Sequence, residues 1–110
     1  MSIEIKQLKN AAAHLAINGE MTIYTALDQK TTFSECLENN KELQIDLSGV
    51  SEIDSAGLQL LLFVKREANE RHIKLSLIHH SQPVVEVFEL LNLGNHFGDP
   101  IVLSANWKKT

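Results

Sequence analysis

The sequence predicts an α/β fold: one domain with a mixed β-sheet and helices packed mainly on one face, in the order β-β-α-β-α-β-α-β. Two observations carry this. Short stretches with apolar residues at every second position alternate with longer stretches at helical spacing. No repeat, low-complexity segment or linker breaks the 110 residues, so residues 1–110 read as one domain, with 106–110 a loose tail. Alternating β-α units of this kind build parallel strands through crossover helices.

Residues 2–8 alternate Ile3 and Ile5, and less regularly Leu8, with polar residues. They read as an edge or surface strand. A turn over 10–13 leads into a second alternating stretch, 14–18, with Leu15 and Ile17 on one side and His14, Ala16 and Asn18 on the other. The pair makes an antiparallel hairpin ended by Gly19. Residues 19–24 form a loop into the first helix. Thr25 suits an N-cap, and Asp28 three positions on resembles a capping box. This helix runs to about Leu37, buries Ala26, Phe33 and Leu37, and ends at Asn39 and Asn40.

The centre of the chain is LQIDLSGVSEIDSAGLQLLLFVKREANER, residues 43–71. Residues 43–47 read as a buried strand and 58–71 as a helix. Between them lies a polar hinge with Ser48, Gly49, Ser51, Asp54, Ser55 and Gly57. The hinge puts Ser55 at or next to a helix N-terminus, where unpaired N–H groups and the helix dipole tolerate an anion. At about 100° per residue, Leu60, Leu61, Val64 and Ala68 share one face of the helix. Gln59, Arg66 and Glu70 lie opposite, and Leu62 and Phe63 flank that polar face. The first two turns are more apolar than one buried face requires. Residues 73–78 form a further strand. His79, His80 and Ser81 make a turn with exposed imidazoles. Pro83 fits the first helical position, capped by Gln82 or Ser81. Val84, Val87, Phe88 and Leu91 then follow at helical spacing, Gly94 closes the helix, and residues 101–103 make a last strand.

Composition excludes several functions. Ten basic against fourteen acidic residues leave a formal charge of −4, with no basic cluster beyond Lys108 and Lys109. That argues against a nucleic-acid binder or a polybasic membrane anchor. No apolar run reaches the length of a membrane span, and the first residues lack a signal-peptide core. These features and the single Cys36, read as a core or half-buried helix residue, point to the cytoplasm. His14, His72, His79, His80 and His96 show no metal-ligand spacing, and no nucleotide loop occurs, so neither metal nor cofactor is expected. The turn Ile53-Asp54-Ser55-Ala56-Gly57 lacks the first glycine of a nucleophile elbow. An enzyme built on Asp46, Asp54 and Ser55 would need a base that the sequence does not supply. Capping by Asp54 or Ser55 alone accounts for such a turn. The other reading is a hydroxyl offered to a partner, with Leu62 and Phe63 as an apolar docking patch beyond it.

The stretch Asp46-Leu-Ser-Gly-Val-x-x-Ile-Asp54-Ser55-Ala-Gly57-Leu58 resembles the signature of STAS domains, the anti-sigma-factor antagonist family. Gly19-Glu20 and the run from Pro83 to Gly94 are similar to further family segments, so the likeness spans nearly the whole chain. The resemblance implies a regulatory binding module, not an enzyme. Ser55 would be the phosphoacceptor, docking an anti-sigma factor that is also a serine kinase, released on phosphorylation and reset by a serine phosphatase. It implies a contact surface of Asp54, Gly57, Gln59, Leu62, Phe63 and Arg66, with Thr22 and Tyr24 from the preceding loop. Thr22 stands where the family usually carries an acid, and Ala56 replaces a second serine found in many relatives. The alternative is a non-phosphorylated STAS subunit of a bacterial lipid-transport ABC complex.

Overall fold

The computed structural model describes residues 2–91. Its elements are β1 (Ser2–Leu8), β2 (Ala12–Met21), α1 (Ala26–Asn39), β3 (Glu42–Ile53), α2 (Ser55–Glu70), β4 (Lys74–Ile78) and α3 (Gln82–Leu91). The expected features at Gly94, His96, residues 101–103, residues 106–110 and Lys108–Lys109 lie outside the described residues.

The four strands form one sheet in the order β1-β2-β3-β4. A tight turn with Asn10 and Ala11 at φ 63° and 56° closes the antiparallel β1–β2 hairpin. The β2–β3 and β3–β4 pairs are parallel and joined through α1 and α2. One sheet face is apolar: Ala13, Leu15, Ile17, Leu43, Ile45, Leu47 and Leu77 are buried in a core shared with Phe33 of α1, Leu61 and Val64 of α2, and Val84 and Phe88 of α3. The other face carries half-buried polar residues such as His14, Gln44, Asp46 and Ser76. The mixed sheet with helices on one face is thus the arrangement the alternation predicts.

The strands are longer than expected. β2 does not stop at Gly19 but continues to Met21, because Gly19 adopts φ 102° and stays in the ladder opposite Val50. β3 does not stop at Leu47 but runs to Ile53. Two register shifts against β2, between Ala16 and Asn18 and between Gly19 and Glu20, absorb one extra β3 residue each. Such bulges bend a strand and break its alternation. Most of the expected hinge is therefore strand, and α2 begins at Ser55, three residues earlier than the sequence suggests.

Other boundaries move for local reasons. Thr25 precedes α1 but makes no side-chain cap. Its Oγ1 accepts from the Thr22 N–H and donates to the Glu20 carbonyl instead, each at 3.0 Å, so no capping box forms with Asp28. Helix α1 extends to Asn39, and Asn39 and Asn40 donate side-chain N–H groups to the carbonyls of Glu35 and Cys36 at its end. Ala26 is only half-buried. Cys36 is buried, and that burial, then the nearby Glu35 carboxylate, pushes its thiol above the usual range. Helix α3 starts at Gln82, so Pro83 is its second residue, and the Ser81 hydroxyl is buried with no hydrogen-bond partner among the described residues rather than serving as a cap. His80 is 2% exposed, contrary to the expected solvent-facing imidazole. It stacks edge-on against Phe88, with ring centres 5.3 Å apart.

Gly57 fixes how closely α2 meets the sheet. A β-carbon built there falls 2.7 Å from the Met21 carbonyl carbon and nearer still to its oxygen. Backbone cannot step aside as a flexible side chain can. Alanine's better helix propensity offsets at most about 1 kcal/mol, whereas overpacking of this kind costs about 1–3 kcal/mol. Gly57→Ala is expected to lower the urea unfolding midpoint despite lying in a helix, measured against wild type by circular dichroism.

Candidate functional site

The site is the junction where the ends of β2 and β3 meet the start of α2. Asp54 occupies the N-cap of α2. Its Oδ1 accepts the N–H groups of Ala56 and Gly57 at 2.9 and 3.0 Å. Its Oδ2 accepts the Ile23 N–H at 2.9 Å, and its own N–H donates to the Met21 carbonyl at 3.2 Å. One carboxylate therefore joins the 22–25 loop to the helix start. The Ile23 N–H first, then those of Gly57 and Ala56, hold its carboxyl below the usual carboxylate range.

The loop is tied from within. Gln29, fully buried on α1, donates to the Glu20 carbonyl at 2.9 Å. Thr22 is 2% exposed. Its hydroxyl donates to Glu20 Oε1 at 3.1 Å and accepts the Tyr24 N–H at 3.3 Å. Thr22, like Gly57, thus faces inward and acts on the shape of the site rather than its surface. The tied loop turns its apolar side chains out: Ile23 is 69% exposed and Tyr24 90%.

Ser55, the first residue of α2, is exposed. Beyond it a groove of about 1030 Å³ lies between α1 and α2. Gln59, Leu62, Phe63 and Arg66 line one wall together, with Ala56 at the mouth, while Ile23, Leu27 and Lys30 form the other. Leu62 and Phe63 are half-buried and pack against the core at their inner edges. The Lys30 ammonium sits 4.7 Å from the centre of the Phe63 ring, and the Arg66 guanidinium 5.8 Å. The structure brings Gln59, Leu62, Phe63 and Arg66 together along this groove. Thr22, Tyr24, Asp54 and Gly57 do not line it. The opposite wall escaped the sequence reading. Its signal was Leu27, an apolar residue off the buried Phe33–Leu37 stripe, just as Leu62 and Phe63 lie off theirs.

Asp46 and Asp54 are not a pair. Asp46 sits on the open sheet face, where Oδ1 accepts the Ser48 N–H at 2.9 Å and Oδ2 lies 3.4 Å from His79 Nδ1 and 3.8 Å from His14 Nε2. Burial opposes its ionisation, but the Ser48 hydrogen bonds and His79 outweigh it and lower its pKa. Among the described residues no cluster of His, Cys, Asp and Glu is arranged to hold a metal ion. No described helix is long and apolar enough to cross a membrane.

A family model described as Mlab, STAS domain matches residues 6–103. The chain belongs to the STAS domain family. Solved structures agree with that fold. An anti-sigma factor antagonist from Mycobacterium paratuberculosis superposes with a TM-score of 0.79 at 16% identity, covering 96% of this chain and 87% of that one. The Bacillus cell fate determinant SpoIIAA in its phosphorylated form gives 0.72 at 16% identity, covering 92% and 91%. A Moorella thermoacetica RsbS variant gives 0.73 at 17% identity, covering 94% and 88%. At these identities the likeness is one of fold. No curated protein matches the sequence.

Within this STAS domain the Asp54 carboxylate gives the site a pH signature. A carboxyl whose folded pKa is depressed stabilises the fold at pH values above its unfolded pKa of ~3.9. The contribution is lost as pH falls through the folded value. Asp54→Asn keeps one acceptor oxygen but loses the charge and the oxygen that receives Ile23. The variant is expected to unfold at a lower urea concentration than wild type at pH 7. The gap should narrow on going to pH 3, where Asp46 still leaves both proteins acid-sensitive.

Proposed function

We propose that this STAS domain is a regulatory binding module whose docking surface is switched by phosphorylation of Ser55. The observation that carries the reading is the exposed Ser55 at the first position of α2, one residue before Ala56, where the lining of the α1–α2 groove begins. Residues Gln59, Leu62, Phe63 and Arg66 make the contact surface, with Tyr24 beside it, and Asp54, Gly57 and Thr22 hold it in shape. The partner is a serine kinase acting as an anti-sigma factor, and a serine phosphatase resets the switch. A relative of the same fold is described in a phosphorylated form, which supports the modification.

The physics of the switch follows from the site. A phosphoserine adds about −1.5 to −2 charges. At a helix N-terminus that charge is favourable to the fold, so unfolding is not the mechanism. At an interface it must be desolvated beside the Asp54 carboxylate, and every 1.4 kcal/mol lost there weakens binding about tenfold. Ser55→Ala is expected to retain the kinase partner in a pull-down from the native host, and Ser55→Glu to release it. Equal retention by both variants defeats the proposal.

A second reading has one observation in its favour, the Mlab description of the matching family model. It makes the chain a non-phosphorylated subunit of a lipid-transport ABC complex, docking through the same turn and helix. Native protein purified with transporter subunits, and with no phosphate on Ser55 by mass spectrometry, would select it.

A further inference from the structure

The groove has more chemistry than an apolar patch. Its lining runs from Ala56 to Glu70, nearly the whole of α2, a length of about 21 Å at 1.5 Å per residue. Its apolar side chains come from both helices: Leu62 and Phe63 on α2, Leu27 on α1, and Ile23 just ahead of it. Leu27 is 77% exposed and Ile23 69%. The charges around this trough are unlike the rest of the chain. The chain carries −4, yet the groove is lined by Lys30, Lys65 and Arg66 against the single acid Glu70. Lys30 and Arg66 reach over Phe63 from opposite helices, so their positive charge lies directly above the apolar floor.

We infer that the α1–α2 groove receives an acidic amphipathic helix of the partner protein, its apolar stripe on Ile23, Leu27, Leu62 and Phe63 and its carboxylates against Lys30 and Arg66. This rests on the reading that the Ser55 end of α2 is a docking surface, and names what docks there. The α2 wall is about four turns long, and Ile23, Leu27 and Lys30 face it along its first half, a trough that fits a third helix by the helix-in-groove mode. An acidic partner is the one that a basic rim on an acidic protein selects, since like charges elsewhere on the surface repel it from other sites. It is also the partner that a phosphate on Ser55 repels most strongly, because the new charge arrives one residue before Ala56 in the groove lining.

The test places the photo-crosslinker benzoylphenylalanine at position 27 of the full chain, expressed in its native host. The adduct is digested and the attached segment sequenced by mass spectrometry. The expected segment has apolar residues at i, i+3, i+4 and i+7 flanked by Asp and Glu. Lys30→Glu/Arg66→Glu, checked for a wild-type melting temperature, is expected to cut adduct yield by roughly tenfold or more through like-charge repulsion. A basic or extended segment, a lipid adduct, a second copy of this chain, or no adduct overturns the inference. The same experiment in Ser55→Glu separates it from the switch. Undiminished adduct there defeats the switch and leaves the groove assignment standing. Loss there with full retention in Lys30→Glu/Arg66→Glu does the reverse.

Discussion

The site depends on one carboxylate. Asp54 takes backbone N–H groups from two segments far apart in the chain, Ile23 on one side and Ala56 with Gly57 on the other. Without it the start of α2 would keep unpaired donors, and the loop ahead of α1 would have no tie to that helix. Everything exposed nearby inherits its position from this bond set. Ser55 follows directly on the cap, and Ile23 is held by its backbone so that its side chain projects outward. The close approach at Gly57 completes the joint, because α2 rests against the Met21 carbonyl. Pre-organisation of this kind lowers the ordering cost of binding, which for loops and long side chains can consume much of an interface's gross energy.

Much of this was legible in the residues, and the losses have identifiable causes. The Leu60–Leu61–Val64–Ala68 face of α2 and its exposed Gln59, Arg66 and Glu70 follow from helical spacing and appear as expected. The end of β3 was missed because inward-facing residues change phase twice. Leu43, Ile45 and Leu47 are buried at odd positions, Val50 is buried at an even one, and Ile53 packs against the core at an odd one again. Each bulge shifts the pattern by one, and a period-two reading stops at the first shift. Serine and glycine at the bulges look like loop for the same reason that they suit a bulge. His79 and His80 look alike in the sequence because a turn's side chains have no period. Only the packing of α3 against the sheet decides that His80 goes inside against Phe88.

The site shows the same division. Local chemistry identified the cap and the exposed hydroxyl. The groove needed tertiary structure, since its second wall comes from α1 and the loop ahead of it. Surplus apolar residues on two helices, Leu27 on one and Leu62 with Phe63 on the other, are each unremarkable alone. They become one surface only when α1 packs beside α2. Thr22 is the converse case. Its sequence position resembles a contact, but its hydroxyl is spent on Glu20 and Tyr24 inside the loop.

The way Asp54 grips its neighbours also bears on how such domains diversify. The clamp reads main-chain N–H groups, so it asks nothing of the side chains at 23 and 56 except that neither be proline. Those two positions flank the groove mouth. The groove mouth can therefore change its residues while the joint beneath it stays intact. Substitution at these two positions is thereby uncoupled from the stability of the joint.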